Sequence, residues 1–315
     1  MRPFDERWIR QRQTELLNSV MVHSDNTVVN YESSWRLFEK FCAMVPCLPL
    51  PVERQTVIDY IVWAVEVQGY RTASVQAQVS AVRQRHVTAG FPSPTTGLSS
   101  FIKHLKRVRR ERPCAKDALR YDQLLRAAEQ IPETLVGVRD RSMILLAFAS
   151  GWRRSEVVAL SVGDIQFCEQ GVELFQAHSK TDQHGEGRTV GIHRGSNPST
   201  CPVRALEAWL ALRGKWDGPL FVGTSKRGRK LTTQALHKNG ARLYAAVKQS
   251  LKACGEDASR YGAHSLRSGM ITEAVKSGAS EIAIQARTGH KSIKVLRSYI
   301  RPATAFDFNP LAGVL

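Results

Sequence analysis

Residues 264–267 read His-Ser-Leu-Arg, residues 288–290 read Thr-Gly-His, and a tyrosine stands nine positions later, at Tyr299. A His-x-x-Arg pair by itself is a weak signal, because a chain of this composition contains about one by chance. A second pair of that spacing, His104 and Arg107, lies in a basic helical segment of the same chain. The later pair differs in its neighbours: an amphipathic segment, a Gly-His step and a tyrosine come after it, in that order.

Two further elements precede this stretch. Residues 151–156 read Gly-Trp-Arg-Arg-Ser-Glu and follow an apolar run that predicts a long helix over residues 139–150. Lys180 lies in a segment of turn-like composition between two strand-like runs, residues 172–177 and 189–193. The chain therefore offers, in order, an arginine followed by a glutamate, a lysine, a His-x-x-Arg pair, a histidine and a tyrosine.

This ordered set resembles the catalytic residues of the tyrosine recombinase family, also called the phage integrase family. The first half of the chain resembles the helical core-binding domain of that family, so the resemblance covers nearly the whole sequence. The catalytic residues that it implies are Arg153, Lys180, His264, Arg267, His290 and Tyr299, with Glu156 in a supporting role. Ser268 stands where many members have a second histidine, and Trp152 where a smaller aliphatic residue is common. Neither departure removes a reacting group.

The chemistry of phosphodiester cleavage explains why positively charged donors are needed. Transesterification concentrates negative charge on a pentacoordinate phosphorane, and the guanidinium forks of Arg153 and Arg267 match its non-bridging oxygens. The resemblance implies that His290 donates a hydrogen bond to the phosphate and that Glu156 orients neighbouring groups. Arg154 is the rival of Arg153, and the Gly-x-Arg register favours Arg153.

The remaining candidates handle protons and the covalent bond. By resemblance, Tyr299 attacks the phosphorus, Lys180 protonates the leaving 5′-oxygen, and His264 helps to move the proton of the nucleophile. Lys226 and Lys230, in a second basic loop, are rivals of Lys180, whose position between two strand-like runs favours it. Tyr299 has an alternative place as a core tyrosine of an amphipathic helix, although no other tyrosine follows a Gly-His step at this distance.

The apolar pattern divides the chain into a helical first half and a mixed second half. Helices are predicted to begin near Thr27, Pro51, Thr72, Ser100, Tyr121, Arg139, Pro202, Thr232, Ser265, Ser280 and Ser292. We therefore expect a mainly α fold with one small antiparallel β-sheet. The expected parts are a helical core-binding domain over residues 1–108, a basic linker over 109–117, and a mixed α/β catalytic domain with a C-terminal tail over 118–315.

The charge balance favours a polyanionic partner. Lys and Arg number 45 against 28 Asp and Glu, a formal charge of +17 at pH 7. No apolar run approaches the ~18 residues that span a bilayer, and the N-terminal residues lack the apolar region of a secretion signal, so nucleic acid is favoured over a membrane. The six cysteines form no Cys-x-x-Cys pair. We expect no metal or other cofactor, and a cytoplasmic, nucleoid-associated protein, or a nuclear one in a eukaryotic host.

Basic and polar residues of the first half are candidates for DNA contacts. The candidates are Gln76, Arg83, Lys103, Lys106, Arg109 and Arg110. A solvated helix face is the alternative for each of them individually. The resemblance further implies double-stranded DNA with paired core sites, a homo-oligomer that is a tetramer on DNA, and a tail after Tyr299 that packs on a neighbouring subunit. Accessory proteins are a further possible class of partner.

Together these features predict a site-specific DNA recombinase that works through a 3′-phosphotyrosyl intermediate and a Holliday junction, without metal or ATP. Because the first predicted helix begins near Thr27, we expect short core sites rather than a separate arm-site domain. A type IB topoisomerase or a hairpin-resolving enzyme would share the tyrosine chemistry. A DNA-binding accessory protein that has lost catalysis would share the fold, but retention of all six catalytic candidates argues against it.

Overall fold

The computed structural model describes residues 25–111, 116–177, 187–214 and 216–303. The chain divides into two compact units, residues 1–114 and 115–315, and this boundary falls inside the stretch predicted to be a linker. Glu111 still belongs to the first unit, because its carboxylate accepts hydrogen bonds from the backbone and hydroxyl of Thr72. Lys116 already donates to a backbone carbonyl of the second unit.

Helices joined by turns, with no strand, make up the described residues of the first unit. Its helices are α1 (Asp25–Met44), α2 (Arg54–Val62), α3 (Thr72–Thr88) and α4 (Leu98–Val108), and a π-helical turn, Trp63–Val67, continues α2. The apolar stripe predicted for α1 is buried at Trp35, Phe38 and Cys42, whereas Val28 at its start is 47% exposed. Tyr60 of α2 packs edge-on against Phe38, with ring centroids 5.1 Å apart, and so fixes α2 against α1.

The second unit is built on one long apolar helix. Its helices are α5 (Tyr121–Glu129), α6 (Leu135–Ser150), α7 (Arg154–Val158), α8 (Pro202–Arg213), α9 (Ala241–Ala253), α10 (Ala263–Lys276), α11 (Glu281–Thr288) and α12 (Ile293–Ala303). Thr134 caps the start of α6 by accepting a hydrogen bond from the Gly137 backbone at 3.1 Å. Gly151, with φ 66°, ends this helix. Because α6 packs against α8, α9 and α10, it is buried on most sides.

Two small antiparallel sheets complete the second unit. The strands are β1 (Ile165–Cys168), β2 (Gly171–Gln176), β3 (Arg188–His193), β4 (Val222–Thr224) and β5 (Leu231–Ala235). The first sheet has the order β1-β2-β3, and β4 and β5 form a separate hairpin. Gln176 pairs with Arg188 at the end of the β2–β3 ladder. The chain between these two residues, which includes Lys180, connects β2 to β3.

The mainly helical fold agrees with the prediction, although one predicted helix is wrong and several short elements, including α7, were not predicted. The helix predicted from Thr232 is wrong: this residue lies in β5, and the next helix begins only at Ala241, after Gly240 with φ 69°. The five residues of β5 are too few to show a period, and their pairing with β4 decides their conformation. Strand β1 was not predicted, nor was the second sheet, because these strands are equally short.

The last three helices form a compact group. Met270 and Ile271 of α10, Ile284 of α11 and Leu296 of α12 make a small buried cluster, against which Tyr299 packs. Each helix buries an apolar face in this cluster. Burial therefore fixes the direction in which α12 presents Tyr299.

Gly269 lets α10 lie close against the segment that precedes α5. The Leu119 backbone N–H donates to the Ser265 carbonyl oxygen at 3.0 Å, and a β-carbon added at Gly269 would collide with the Leu119 carbonyl oxygen. Glycine is required here because two backbones touch. The contact holds the turn of α10 that carries Arg267.

We expect Gly269→Ala to destabilise the protein by about 1–3 kcal/mol, because overpacking against a backbone outweighs the helix preference of alanine. Urea unfolding measures the loss. Gly191→Ala is the control, since a β-carbon on this strand residue meets no atom within 4 Å. Equal stability of the two variants would contradict the close contact.

Candidate active site

The structure brings together five of the six residues predicted to be catalytic. Arg153 precedes the first residue of α7, His264 and Arg267 lie on α10, His290 lies in the turn after α11, and Tyr299 lies on α12. The sixth, Lys180, lies outside the described residues. Its rivals Lys226 and Lys230 occupy the exposed turn between β4 and β5.

Arg267 is the buried centre of the site, with 1% of its surface exposed. Its Nη1 donates to the Gly151 carbonyl oxygen at 2.7 Å, and its Nη2 lies 3.1 Å from the His290 Nε2. Burial, followed by repulsion from Arg153, lowers the pKa of Arg267 to about 10. The group therefore keeps its positive charge at neutral pH.

The His290 ring is held in one tautomer. The Thr288 hydroxyl lies 2.7 Å from the His290 Nδ1, and the same hydroxyl donates its proton to the Ile284 carbonyl oxygen at 2.7 Å. Because a hydroxyl has one proton, Thr288 accepts from an Nδ1–H, and Nε2 is left as an acceptor toward Arg267. Burial and then the charge of Arg267 lower the pKa of His290 to about 4, so the ring is neutral at pH 7.

Tyr299 and His264 form the second half of the site. The Tyr299 hydroxyl lies 2.8 Å from the His264 Nε2, and the two ring centroids are 5.9 Å apart. His264 is exposed on α10, whereas Tyr299 is half-buried. Desolvation by the surrounding protein, then repulsion from Arg267 and Arg153, lowers the pKa of His264. A neutral imidazole in hydrogen-bond contact with a phenol can accept its proton.

Glu156 fixes Arg153 at the first turn of α7. The buried carboxylate of Glu156 accepts from the Arg153 backbone N–H at 2.8 Å and from its Nη1 at 2.6 Å. The Arg153 side chain keeps 27% of its surface exposed. Arg154 is exposed, and its Cγ and Cβ lie 2.8 and 2.9 Å from where a β-carbon on Gly240 would sit. This geometry supports Arg153 over Arg154 as the member of the site.

Sequence reasoning missed two residues at the edge of the site, Thr288 and Arg188. Arg188 is the first residue of β3 and lies 3.8 Å, through its Nη2, from the Glu156 carboxylate. Its alternation with Val190 and Ile192, which are buried, puts a charged residue at an inward position of the strand. A charged residue at an inward strand position was the sequence signal that could have identified Arg188.

The predicted DNA contacts lie on the surface of the first unit. Arg83 on α3, Lys103 and Lys106 on α4, and Arg109 and Arg110 after α4 are exposed, and Gln76 on α3 is half-buried. Arg109 also pairs with Glu66 at 3.0 Å. These positions are accessible to a nucleic acid, so the contacts stay predictions.

Across the residues that the structure describes, no helix is both long enough and apolar enough to cross a membrane. Within the same ranges, no three His, Cys, Asp or Glu side chains are grouped as metal ligands would be.

Comparison with known proteins identifies the family. Residues 117–305 match the model of the phage integrase family. The chain belongs to this family. An integrase/recombinase xerD homolog from Selenomonas ruminantium is 30% identical over 294 residues, 91% of this chain and 85% of that protein. Tyrosine recombinase XerC from Azotobacter vinelandii is 29% identical over 262 residues, 78% of this chain and 74% of that protein.

Solved structures of integrases share the fold. The Tn1549 transposon integrase in complex with transposon right end DNA has a TM-score of 0.62 at 16% identity, over 95% of this chain and 98% of that one. A lambda integrase tetramer bound to a Holliday junction has a TM-score of 0.54 at 18% identity, over 90% and 76%. The predicted fold class is confirmed. The prediction of a tyrosine-type site-specific recombinase is confirmed at the level of the family.

The neutral state of His290 predicts a pH dependence of stability. Its pKa is about 4 in the fold against 6.5 ordinarily, so the unfolded chain binds a proton that the folded chain does not. The unfolding free energy therefore has its full value above pH 6.5. It falls as the pH drops toward 4, because protonation of His290 favours the unfolded chain. We expect His290→Asn to show a flatter fall in unfolding free energy over this window, measured by urea unfolding at several pH values. His193→Asn, at an exposed position, is the control. If wild type and both variants lost unfolding free energy equally steeply with falling pH, the neutral state of His290 would be contradicted.

Proposed function

We propose that this protein is a site-specific DNA recombinase that cleaves and rejoins DNA through a 3′-phosphotyrosyl intermediate and a Holliday junction, without metal or ATP. The observation that carries the proposal is the 2.8 Å contact between the Tyr299 hydroxyl and the His264 Nε2, beside the buried guanidinium of Arg267. This contact supports the roles of nucleophile for Tyr299, base for His264 and anion-binding cation for Arg267, in a member of the phage integrase family.

In the cleavage step, the Tyr299 oxygen attacks the phosphorus of one strand and its proton passes to the His264 Nε2. A bond forms between phosphorus and the tyrosine oxygen, and the bond from phosphorus to the 5′-oxygen breaks. The leaving oxygen takes a proton, which we assign to Lys180. Rejoining is the reverse reaction with the 5′-hydroxyl of the partner strand, so the energy of the phosphodiester is conserved and ATP is not consumed.

Charge stabilisation in this scheme comes from Arg153 and Arg267. Both guanidinium groups present N–H forks to the non-bridging oxygens. His290 changes role when DNA binds: its Nε2 faces Arg267 in the free protein and carries no proton. A phosphate beside it raises its pKa, because a negative charge favours the imidazolium, and the protonated Nε2 then donates to the phosphate.

Solved structures of similar fold support a proposal for the class of partner. The Tn1549 integrase was solved with transposon end DNA, and lambda integrase as a tetramer on a Holliday junction. We propose the same class of partner for this chain: duplex DNA with paired core sites, bound by four copies, with accessory proteins as a further option. Exposed basic residues of α3 and α4 would neutralise DNA phosphates, and the tail over 304–315, outside the described residues, would contact a neighbouring copy. A protein of this function is associated with the chromosome or nucleoid of its host.

The test is trapping on a duplex nicked next to the cleavage site, with sites recovered by binding selection. Wild type should form a denaturation-resistant protein–DNA adduct in the presence of a chelator, and Tyr299→Phe should form none while it binds the same duplex. Tyr244→Phe is the control, because Tyr244 is an exposed tyrosine on α9. An adduct that persists in Tyr299→Phe would contradict the proposed nucleophile.

The same trapping assay separates the alternative functions. Tight binding without an adduct in wild type would favour a DNA-binding accessory protein. An adduct accompanied by relaxation of a supercoiled circle that lacks paired sites would favour a topoisomerase. Exchange of flanks between two site-bearing duplexes supports the recombinase.

A further inference from the structure

A half-buried arginine at the start of β3, Arg188, contacts three parts of the catalytic unit. The Arg188 Nε donates to the Gln176 Oε1 at 2.6 Å, directly across the β2–β3 pair. Its guanidinium carbon lies 5.6 Å from the centroid of the Trp152 ring, and its Nη2 lies 3.8 Å from the Glu156 Oε2. It also lies against the backbone of Gly289, where an added β-carbon would collide with Nη1.

The hydrogen-bonding capacity of this group is only partly used. Within the described part of the chain, Nη1 and Nη2 of Arg188 are buried and have no hydrogen-bond partner, and the same holds for the Trp152 Nε1 and the Gln176 Nε2. Buried donors are normally paired, and a buried charge is costly unless it is paired. A side chain that served the fold alone would be replaced at little cost by an apolar one. This arrangement therefore points to a function.

The charges around Arg188 are unbalanced in the DNA-free protein. Arg188, Arg153 and Arg267 repel one another, and the carboxylate of Glu156 opposes them. Glu156 already accepts two hydrogen bonds from Arg153. A phosphate bound by Arg153 and Arg267 would supply the negative charge that the cluster lacks.

We propose that Arg188 is a positioning residue of the site, which acts on Arg153 through Glu156 and on His290 through the turn at Gly289. This inference rests on the proposed recombinase function. Arg188 lies near the Glu156 Oε2, whereas the Arg153 guanidinium binds Oε1, and its charge limits how far the carboxylate neutralises Arg153. It also supports the backbone that aims His290. Without Arg188, Glu156 draws Arg153 away from the phosphate and the His290 ring loses its support.

The activity test uses Arg188→Met, which keeps the volume and removes the charge. The rate of adduct formation on the nicked duplex should fall by about 10- to 100-fold, as small misplacements of catalytic groups do. Affinity for the same duplex and the melting temperature should stay close to wild type. Arg188→Lys should recover part of the rate, because it restores the charge without the fork. Arg194→Met is the matched control, since Arg194 follows β3, is exposed, and pairs with Glu207 at 2.5 Å.

The contact with Gly289 is tested without DNA. Gly289 and Gly278 both have left-handed backbones, with φ 65° and 79°, but a β-carbon at Gly278 meets no atom within 4 Å. Gly289→Ala should lower the melting temperature more than Gly278→Ala, because it adds a collision with Arg188 to the same backbone strain. In an Arg188→Met background this extra loss should disappear.

Each outcome bears on the proposal. An adduct from wild type and an equal rate from Arg188→Met would overturn the positioning role and leave the recombinase function standing. Unfolding of Arg188→Met, with no rescue by Arg188→Lys, would overturn it in favour of a role in the fold. If wild type forms no adduct on any selected site, the proposed function fails and the role of Arg188 in it fails too. In that case the melting experiment still reports whether the contact exists.

Discussion

The buried hydrogen bond from Arg267 to the Gly151 carbonyl oxygen is the interaction on which the site depends. It ties α10 to the end of α6, two residues before Arg153. The Nη2 of the same guanidinium lies 3.1 Å from the His290 Nε2. In the described residues, no carboxylate accepts a hydrogen bond from Arg267. An unpaired buried cation is expensive, so the fold maintains a charge that a DNA phosphate is suited to balance.

Desolvation and nearby positive charge set the protonation of the two histidines. Both lie beside Arg267 and Arg153, and repulsion adds to desolvation in lowering their pKa values. For His264 the result is a neutral acceptor within reach of the Tyr299 hydroxyl. For His290 the result is a neutral ring, and in the proposed reaction a bound phosphate would raise its pKa. In the proposed reaction, one cationic cluster prepares both the base and the phosphate donor.

Much of this arrangement was predictable from linear order. The spacing of His264, Arg267, His290 and Tyr299 predicted residues that the structure brings together, since α10 to α12 follow one another along the chain. The role of Arg188 depends on strand pairing with Gln176 and on contact with Gly289, about a hundred positions away. No local pattern encodes such contacts. Likewise β5 was predicted as a helix, because its conformation comes from pairing rather than from its own residues.

The packing of α12 holds the Tyr299 hydroxyl beside His264, and we propose that this makes Tyr299 the nucleophile. The most direct test is to trap the protein on a nicked duplex, digest the adduct with nuclease and trypsin, and locate the nucleotide by mass spectrometry. We predict the nucleotide mass on the peptide that begins at Ser298, with the modification on Tyr299. A nucleotide on a peptide that carries another tyrosine, such as Tyr244 or Tyr261, would contradict the account.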